Sequence, residues 1–363
     1  MAKKENEVIG KIKKVAQGVY NKIRKIKSPE LTMPIRSLSN VAYNEKEGYF
    51  KILSKEKTRT LTASTIKTFA QTLRMMNLSK ELVNTEDIAT KREAYYVSKN
   101  WGDARFSEQP ESDSVMDDIE AMMRVNREQI GFIPEEKGGA VAGELIVVDK
   151  DDDGKKLEID CTRFGSGAYS VPSSVEHLSF KTKAKFVLAI ETSGMFERLN
   201  KHNYWKKANC ILISMGGVPT RACRRFIRKL ADEQKLPVYV FADGDCYGYL
   251  NIYRTLKVGS GNAAHINKFF CVPTAKFLGV TPQDIIDYKL PTHPLKEVDI
   301  KRAKDGLKND PFVKHHKEWQ KALNQMIKMK HRSEQQSLAK FGLNYVIDKY
   351  LPDKLKNQKT WLP

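Results

Sequence analysis

Apolar residues recur three and four positions apart at Val8, Ile12, Val15, Val19, Ile23 and Ile26, with Lys and Arg filling the positions between them. That spacing predicts an amphipathic helix ending near Ser28-Pro29, where proline cannot continue it. Its apolar face either docks on the body of the protein or is offered to a partner chain. A strand-like stretch follows at residues 48–53, and then two helical patterns. One covers roughly residues 64–76. The other starts after Thr85, whose hydroxyl is suited to cap free amides, with Glu86 and Asp87 favoured by the positive helix end. Two helices joined by a short polar turn suggest a helix-turn-helix or winged-helix unit, with residues 145–148 as a wing strand.

From Lys183 the period changes to alternating strands and helices. Residues 184–191 (AKFVLAIE) read as a buried strand, followed by a helix through Asn200. Residues 210–217 (CILISMGG) form a second strand, and 219–234 a basic helix with proline in its first turn. Residues 237–245 (PVYVFADGD) form a third strand before a helix over 247–257, and residues 269–272 (FFCV) are a candidate fourth. Alternation of this kind predicts a parallel α/β sheet covered on both faces. Thr281, Pro282 and Asp284 make a well-formed helix start. The last sixty residues look helical and basic and end in an extended WLP tail.

Charge adds a partner to this outline. The 363 residues carry 63 Lys and Arg against 44 Asp and Glu, a net of +19, spread unevenly. Residues 1–40 hold +7 and residues 301–363 hold +9, whereas residues 103–160 hold −10. An excess of this size points to a polyanion, most often nucleic acid, bound with affinity that falls steeply with salt. The acidic segment cannot lie on DNA, so it is expected as a hinge, a protein-facing surface or a mobile loop, with DKDDDG at 149–154 an exposed turn. A hydrophobic fraction of 40% excludes wholesale disorder. The apolar runs are far shorter than the ~20 residues of a membrane span, and the N-terminus lacks a signal-peptide core, which predicts a cytoplasmic protein. Cys161, Cys210, Cys223, Cys246 and Cys271 contain no CxxC pair, against both a disulfide framework and a zinc knuckle. The seven histidines are scattered, only His315-His316 being adjacent, and are read as surface residues.

Ligands of parallel α/β sheets sit beyond the carboxyl ends of the strands, and three carboxylates fall there. Glu191 closes the first strand, and Asp243 and Asp245 close the third. Two aspartates one residue apart share a side of the chain and suit a hard cation such as magnesium, while Gly244 and Gly248 leave room for a phosphate backbone. The plainer role for both aspartates is to cap the following helix. In the helical N-terminal part, Arg92 and Tyr96 are i and i+4 and share a helix face. A phenol titrates near pH ~10 and is a poor nucleophile at neutral pH. A neighbouring guanidinium stabilises phenolate and also forks onto phosphate. Tyrosine, arginine and a metal-carboxylate cluster together are what reversible phosphodiester transfer needs. Tyr95, about 100° around the helix, is expected to be the packed member of the pair.

These segments resemble a known family. KREAYYVSKNW at 91–101, IETSGMFERL at 190–199, GGVPTRACRRF at 216–226, FADGDCYGYLNIYRTLKVGS at 241–260 and EQQSLAKFGL at 334–343 are similar to the A subunits of archaeal type IIB DNA topoisomerases, relatives of the meiotic double-strand-break transesterases. The resemblance implies a mixed α/β chain: an N-terminal amphipathic helix and arm (1–66), a winged-helix domain of the catabolite-activator type (67–158), and a Toprim domain with helical, basic C-terminal elaborations (159–363). It implies Tyr96 as nucleophile assisted by Arg92, with Glu191, Asp243 and Asp245 holding Mg2+ and Glu191 also moving protons. The family's active site combines the tyrosine of one A subunit with the Toprim site of another, so a homodimer on double-stranded DNA is implied. No P-loop is present; in the family a GHKL-type ATPase B subunit binds the ATP, giving an A2B2 heterotetramer, and the N-terminal helix is a candidate contact for it. Cys246 departs from the proline common after the second Asp of Toprim proteins. The residues alone leave open a break-forming transesterase without strand passage, or a non-catalytic winged-helix DNA-binding protein.

Overall fold

The computed structural model describes residues 2–134, 138–261 and 263–363, with side chains from residue 7 onward. The chain folds as two compact units. One comprises Met1–Ala42, Phe50–Glu136 and Ser260–Phe269; the other comprises Tyr43–Tyr49, Lys137–Gly259 and Phe270–Pro363.

The first unit is built on helices. Helix α1 (Ala2–Arg24) lays its apolar stripe on its own unit. Val8 and Ile12 are buried in a cluster with Met75, Met76 and Leu82 of α2 (Ile66–Thr85), and Val19 packs with Leu31, Met33 and Phe69. Docking therefore accounts for most of the stripe, while Tyr20, Ile23 and Ile26 remain exposed. Strands β1 (Glu30–Pro34) and β2 (Glu56–Thr60) pair antiparallel.

The second helix of the expected pair starts later than its acidic residues suggest. α2 runs on to Thr85, whose hydroxyl donates back to the Glu81 carbonyl (2.9 Å), and Glu86 ends it in the left-handed region. Thr85 closes a helix; Thr90 opens the next one, α3 (Lys91–Val97). The Thr90 hydroxyl accepts from the Glu93 amide (3.1 Å), and the Glu93 carboxylate accepts from the Thr90 amide (2.7 Å). The reciprocal pair at Thr90 satisfies two free amides at a helix start, whereas the Thr85 hydroxyl only donates back to carbonyls of the helix it ends.

The acidic residues of α4 (Gln109–Met123) are consumed inside this unit. Asp118 accepts from Arg36, Lys57 and Arg59, and Asp117 from Arg36 and Arg127. This part of the acidic segment is thus a folded, arginine-matched surface.

The second unit centres on a six-stranded sheet. Its strands are β3 (Ala140–Gly143), β6 (Tyr169–Ser170), β8 (Phe186–Ile190), β9 (Cys210–Ser214), β10 (Val238–Phe241) and β11 (Lys276–Gly279), in the order β6-β3-β9-β8-β10-β11. β9, β8, β10 and β11 are parallel; β3 pairs antiparallel with β9, and β6 antiparallel with β3. Every residue of β8 and β9 is buried, as a sheet covered on both faces requires. Between β3 and β8 lies an antiparallel three-stranded sheet of β4 (Ile146–Lys150), β5 (Lys156–Asp160) and β7 (Ser179–Lys181). The expected wing strand at 145–148 is therefore part of this sheet. The turn at 149–154 brings β5 beside β4 at once, and so short a loop costs less entropy to close than a distant pairing.

A second correction concerns FFCV. Asn267–Phe270 is a single helical turn, and the fourth parallel strand is β11, whose KFLG is too short and too polar at its start to stand out. The helix start at Thr281 holds: Thr281 and Asp284 exchange both bonds of a capping box at the head of Pro282–Asp287. The WLP tail is docked. Leu362 exchanges two 3.0 Å backbone bonds with Phe277 of β11, the Trp361 ring packs at a tilt 4.7 Å from that of Tyr239, and the Trp319 indole donates to the Pro363 carbonyl. No helix among the described residues is long and apolar enough to cross a membrane.

Candidate active site

The strand ends of the second unit gather the three predicted carboxylates. β8 delivers Glu191 and β10 leads into Asp243 and Asp245, because adjacent parallel strands end side by side. The Glu191 Oε2 accepts from the Asp243 amide (2.8 Å), tying one strand end to the other. Asp243 Oδ1 accepts from the Gln335 amide (2.8 Å). Asp245 Oδ1 accepts from the Gly248 amide (2.7 Å), so Asp245 does cap the next helix, but its Oδ2 faces Arg332 Nη1 at 3.2 Å. Capping is thus one job of Asp245 and none of Asp243.

Burial dominates the electrostatics. It pushes the Glu191 carboxyl up to about 8, reinforced by the Asp243 charge, and the Asp243 carboxyl up to about 6, against the pull of the Gln335 amide and Arg332. Arg332 offsets part of the negative charge at the aspartates but none at Glu191, and a cation would supply more. Oxygens from both strand ends converge on Gly248. A Cβ there would stand 2.6 Å from the Asp243 carbonyl oxygen and 3.4 Å from both Asp245 Oδ1 and Glu191 Oε2. Only a residue without a side chain fits this close to the three oxygens, and a set of hard oxygen donors of this kind suits a divalent ion completed by water or phosphate. Cys246 is fully buried with its Sγ 3.3 Å from Met326 Sδ, and burial holds its thiol up near about 12. It fills the core beneath the loop and is inert.

In the first unit, Tyr96 lies near the end of α3 and is 56% exposed. Tyr95 packs against the apolar cluster and donates to the Ser107 carbonyl (3.1 Å), as its position around the helix required. The two rings meet edge to face at 5.3 Å. Arg92 does share the Tyr96 face: its Cζ stands 6.0 Å from the ring centroid, over the ring and free to swing towards the hydroxyl or a phosphate.

Sequence reasoning missed two kinds of residue. Arg332 and Gln335 contact the aspartates; Gln335 lies in the EQQSLAKFGL run, whose likeness carried no role for it, and Arg332 lies just outside that run with no signal of its own. His265 is not a surface histidine: its side chain is 6% exposed, with Nε2 3.7 Å from Glu120, and it groups with Asp117 and Glu120. Arg127 already spans both of those acids, so the group reads as an ion-paired part of the first unit.

Comparisons with known proteins place the whole chain among relatives. A family model for the Toprim domain of topoisomerase 6 A subunits and Spo11 matches residues 186–355, and one for type IIB DNA topoisomerase matches residues 67–132. Between them, a model for the all-beta domain in DNA topoisomerase VI alpha subunit matches residues 135–184, the stretch that supplies β3 to β7. The A subunit of type 2 DNA topoisomerase 6 from Methanocaldococcus jannaschii is 56% identical over 364 residues, spanning 100% of this chain and 98% of that protein. The proteins of the same name from Methanothermobacter thermautotrophicus and Archaeoglobus fulgidus are each 37% identical, over 96% and 94% of this chain and 97% and 94% of their own lengths.

Proposed function

Since the chain belongs to the family of type IIB DNA topoisomerase A subunits, we propose that Tyr96 is its DNA-cleaving nucleophile and that Glu191, Asp243 and Asp245 hold the magnesium ion of the reaction. Membership makes it a DNA-cleaving topoisomerase chain, and its Toprim domain implies use of a divalent metal. The Tyr96 oxygen forms a bond to a backbone phosphorus while the bond from that phosphorus to the 3′ oxygen breaks. A 5′-phosphotyrosyl link remains, and the 3′ oxygen leaves with a proton. Resealing is the same step reversed, so no energy is lost to hydrolysis. Arg92 serves the phenolate and the phosphate. Glu191, held largely as the neutral acid near neutral pH before a cation is loaded, is placed to give or take a proton. Magnesium, when bound, supplies charge stabilisation at the phosphate oxygens.

An A-type chain works with a second kind of chain. On this reading that partner is a GHKL-type ATPase that binds the ATP, in an A2B2 complex acting on double-stranded DNA in the cytoplasm. Support for the chemistry rests on one observation above all: the carboxylates of two adjacent strand ends are drawn together, the Glu191 Oε2 accepting from the Asp243 amide and standing with Asp245 Oδ1 around Gly248. The test is a cleavage trap with the ATPase partner, plasmid DNA, Mg2+ and a nucleotide analogue. The wild type is expected to give protein-linked 5′ ends, and Tyr96→Phe and Asp243→Ala none, with DNA binding retained. Adducts that survive in Tyr96→Phe would remove the tyrosine from its role.

A further inference from the structure

Residues 332–335 run antiparallel across the turn that carries the two aspartates. The Gly244 amide donates to the Ser333 carbonyl (2.8 Å) and the Ser333 amide returns a bond to the Gly244 carbonyl (3.1 Å). Ser333 is fully buried and its hydroxyl donates to the Pro291 carbonyl (2.8 Å). Gln335, also fully buried, commits its backbone amide and both side-chain polar atoms to three different anchors. Its amide donates to Asp243 Oδ1, its Nε2 donates to the Phe241 carbonyl at the end of β10 (2.9 Å), and its Oε1 accepts from the Thr192 hydroxyl just past Glu191 (2.9 Å). A buried carboxamide is costly unless its bonds are made, and these bonds span the two strand ends that carry Glu191 and Asp243. At the other end of the segment Arg332 faces Asp245, and its buried Nε has no hydrogen-bond partner among the described residues.

We propose that residues 332–335 form a strap that tunes divalent-cation affinity from both of its ends, with Gln335 and Arg332 acting in opposite directions. Gln335 is a positioning residue that keeps the Glu191 and Asp243 strand ends at a fixed separation. Arg332 is the resident counter-charge of Asp245 and gives that carboxylate up when a divalent cation is loaded, so it weakens binding. The unpartnered Nε means that the guanidinium loses few contacts when it turns away. The inference rests on the reading that Glu191, Asp243 and Asp245 are the cation ligands.

The experiment is a titration of the purified full chain with Mn2+ alone, free Mn2+ being followed by its paramagnetic resonance signal, without DNA or the ATPase. Removing a group that hydrogen-bonds a metal ligand directly typically costs ~10–100-fold in affinity; Gln335→Ala keeps the backbone bond to Asp243 Oδ1 and loses only the two side-chain bonds that join the strand ends, so a smaller loss, roughly 5-fold, is expected. Thr192→Val, which removes only the hydroxyl donor, should weaken Mn2+ binding by a smaller factor and guards against misfolding of the Gln335 variant. Arg332→Ala should bind Mn2+ more tightly, by roughly 5-fold, because a positive charge leaves the site. Asp243→Ala tests the underlying reading and should lose binding. Wild-type affinity in Asp243→Ala would overturn the ligand assignment itself. Loss in Asp243→Ala together with unchanged binding in Gln335→Ala and Thr192→Val, or with equal or weaker binding in Arg332→Ala, would overturn the strap and leave the ligands standing.

Discussion

Glu191 shows how position along a strand becomes chemistry. Its carboxyl sits near about 8 in the folded protein against 4.5 for the free side chain, chiefly because it is buried. Between those two values the folded state holds a proton that the unfolded chain releases. In chelator, stability is therefore expected to fall as pH rises from about 5 to about 8 and to level off above that, and Glu191→Gln should lose this slope. Melting temperature against pH for the two proteins checks it, and parallel curves would refute it. The three carboxylates were legible in the sequence because a charged residue at the end of an apolar run has few bland explanations. Gln335 was not, because it lies 92 residues beyond Asp243 and a glutamine carries no charge to announce a site. The placement of Arg92 was legible only to the helix face; that its guanidinium lies over the ring of Tyr96 is a matter of rotamer, which spacing does not encode.

Elements whose signals are local were read well, and those that depend on competing partners were not. The helix from residue 2 to 24, the buried strands β8, β9 and β10, and the capping box at Thr281 all follow from periodicity or from residues within four positions. Thr85 and Thr90 both precede acidic residues, and only the reciprocal bonds to Glu93 decide between them. The strand β4 was seen, but its partners were not, since a hairpin turn says which strands meet and nothing of the layer they join. The docking of α1 makes a prediction at this scale. Ile12→Ala should cost about 2–5 kcal/mol, as loss of a buried aliphatic side chain does, measured by chemical denaturation. Ile23→Ala, on the exposed end of the same helix, should stay within about 0.5 kcal/mol of wild type. Equal effects at both sites would mean that the stripe does not pack as described.

Across the whole molecule, the charge balance changes meaning once its distribution is known. Part of the −10 segment is matched by Arg36, Lys57, Arg59 and Arg127 within the first unit, so those acids do not offset surface charge directed at DNA. Binding to linear duplex should fall by at least ~10³-fold between 50 and 200 mM salt if six or more phosphates are neutralised. Anisotropy titrations across that range measure the slope, and a nearly flat plot would contradict an electrostatic interface.

One consequence of the chain's path concerns its dissection. The polypeptide passes between its two units five times, leaving residues 43–49 and 260–269 as parts of a unit that their flanking sequence does not build. The second of these is well anchored where it lands: Asn267 donates to the Phe50 carbonyl and Lys268 to the Arg124 carbonyl. A gene cut once, at the 136/137 boundary, would thus yield two fragments that each carry a missing piece of the other's fold. Each half made alone is therefore expected to fold poorly, and the two are expected to fold better when made together.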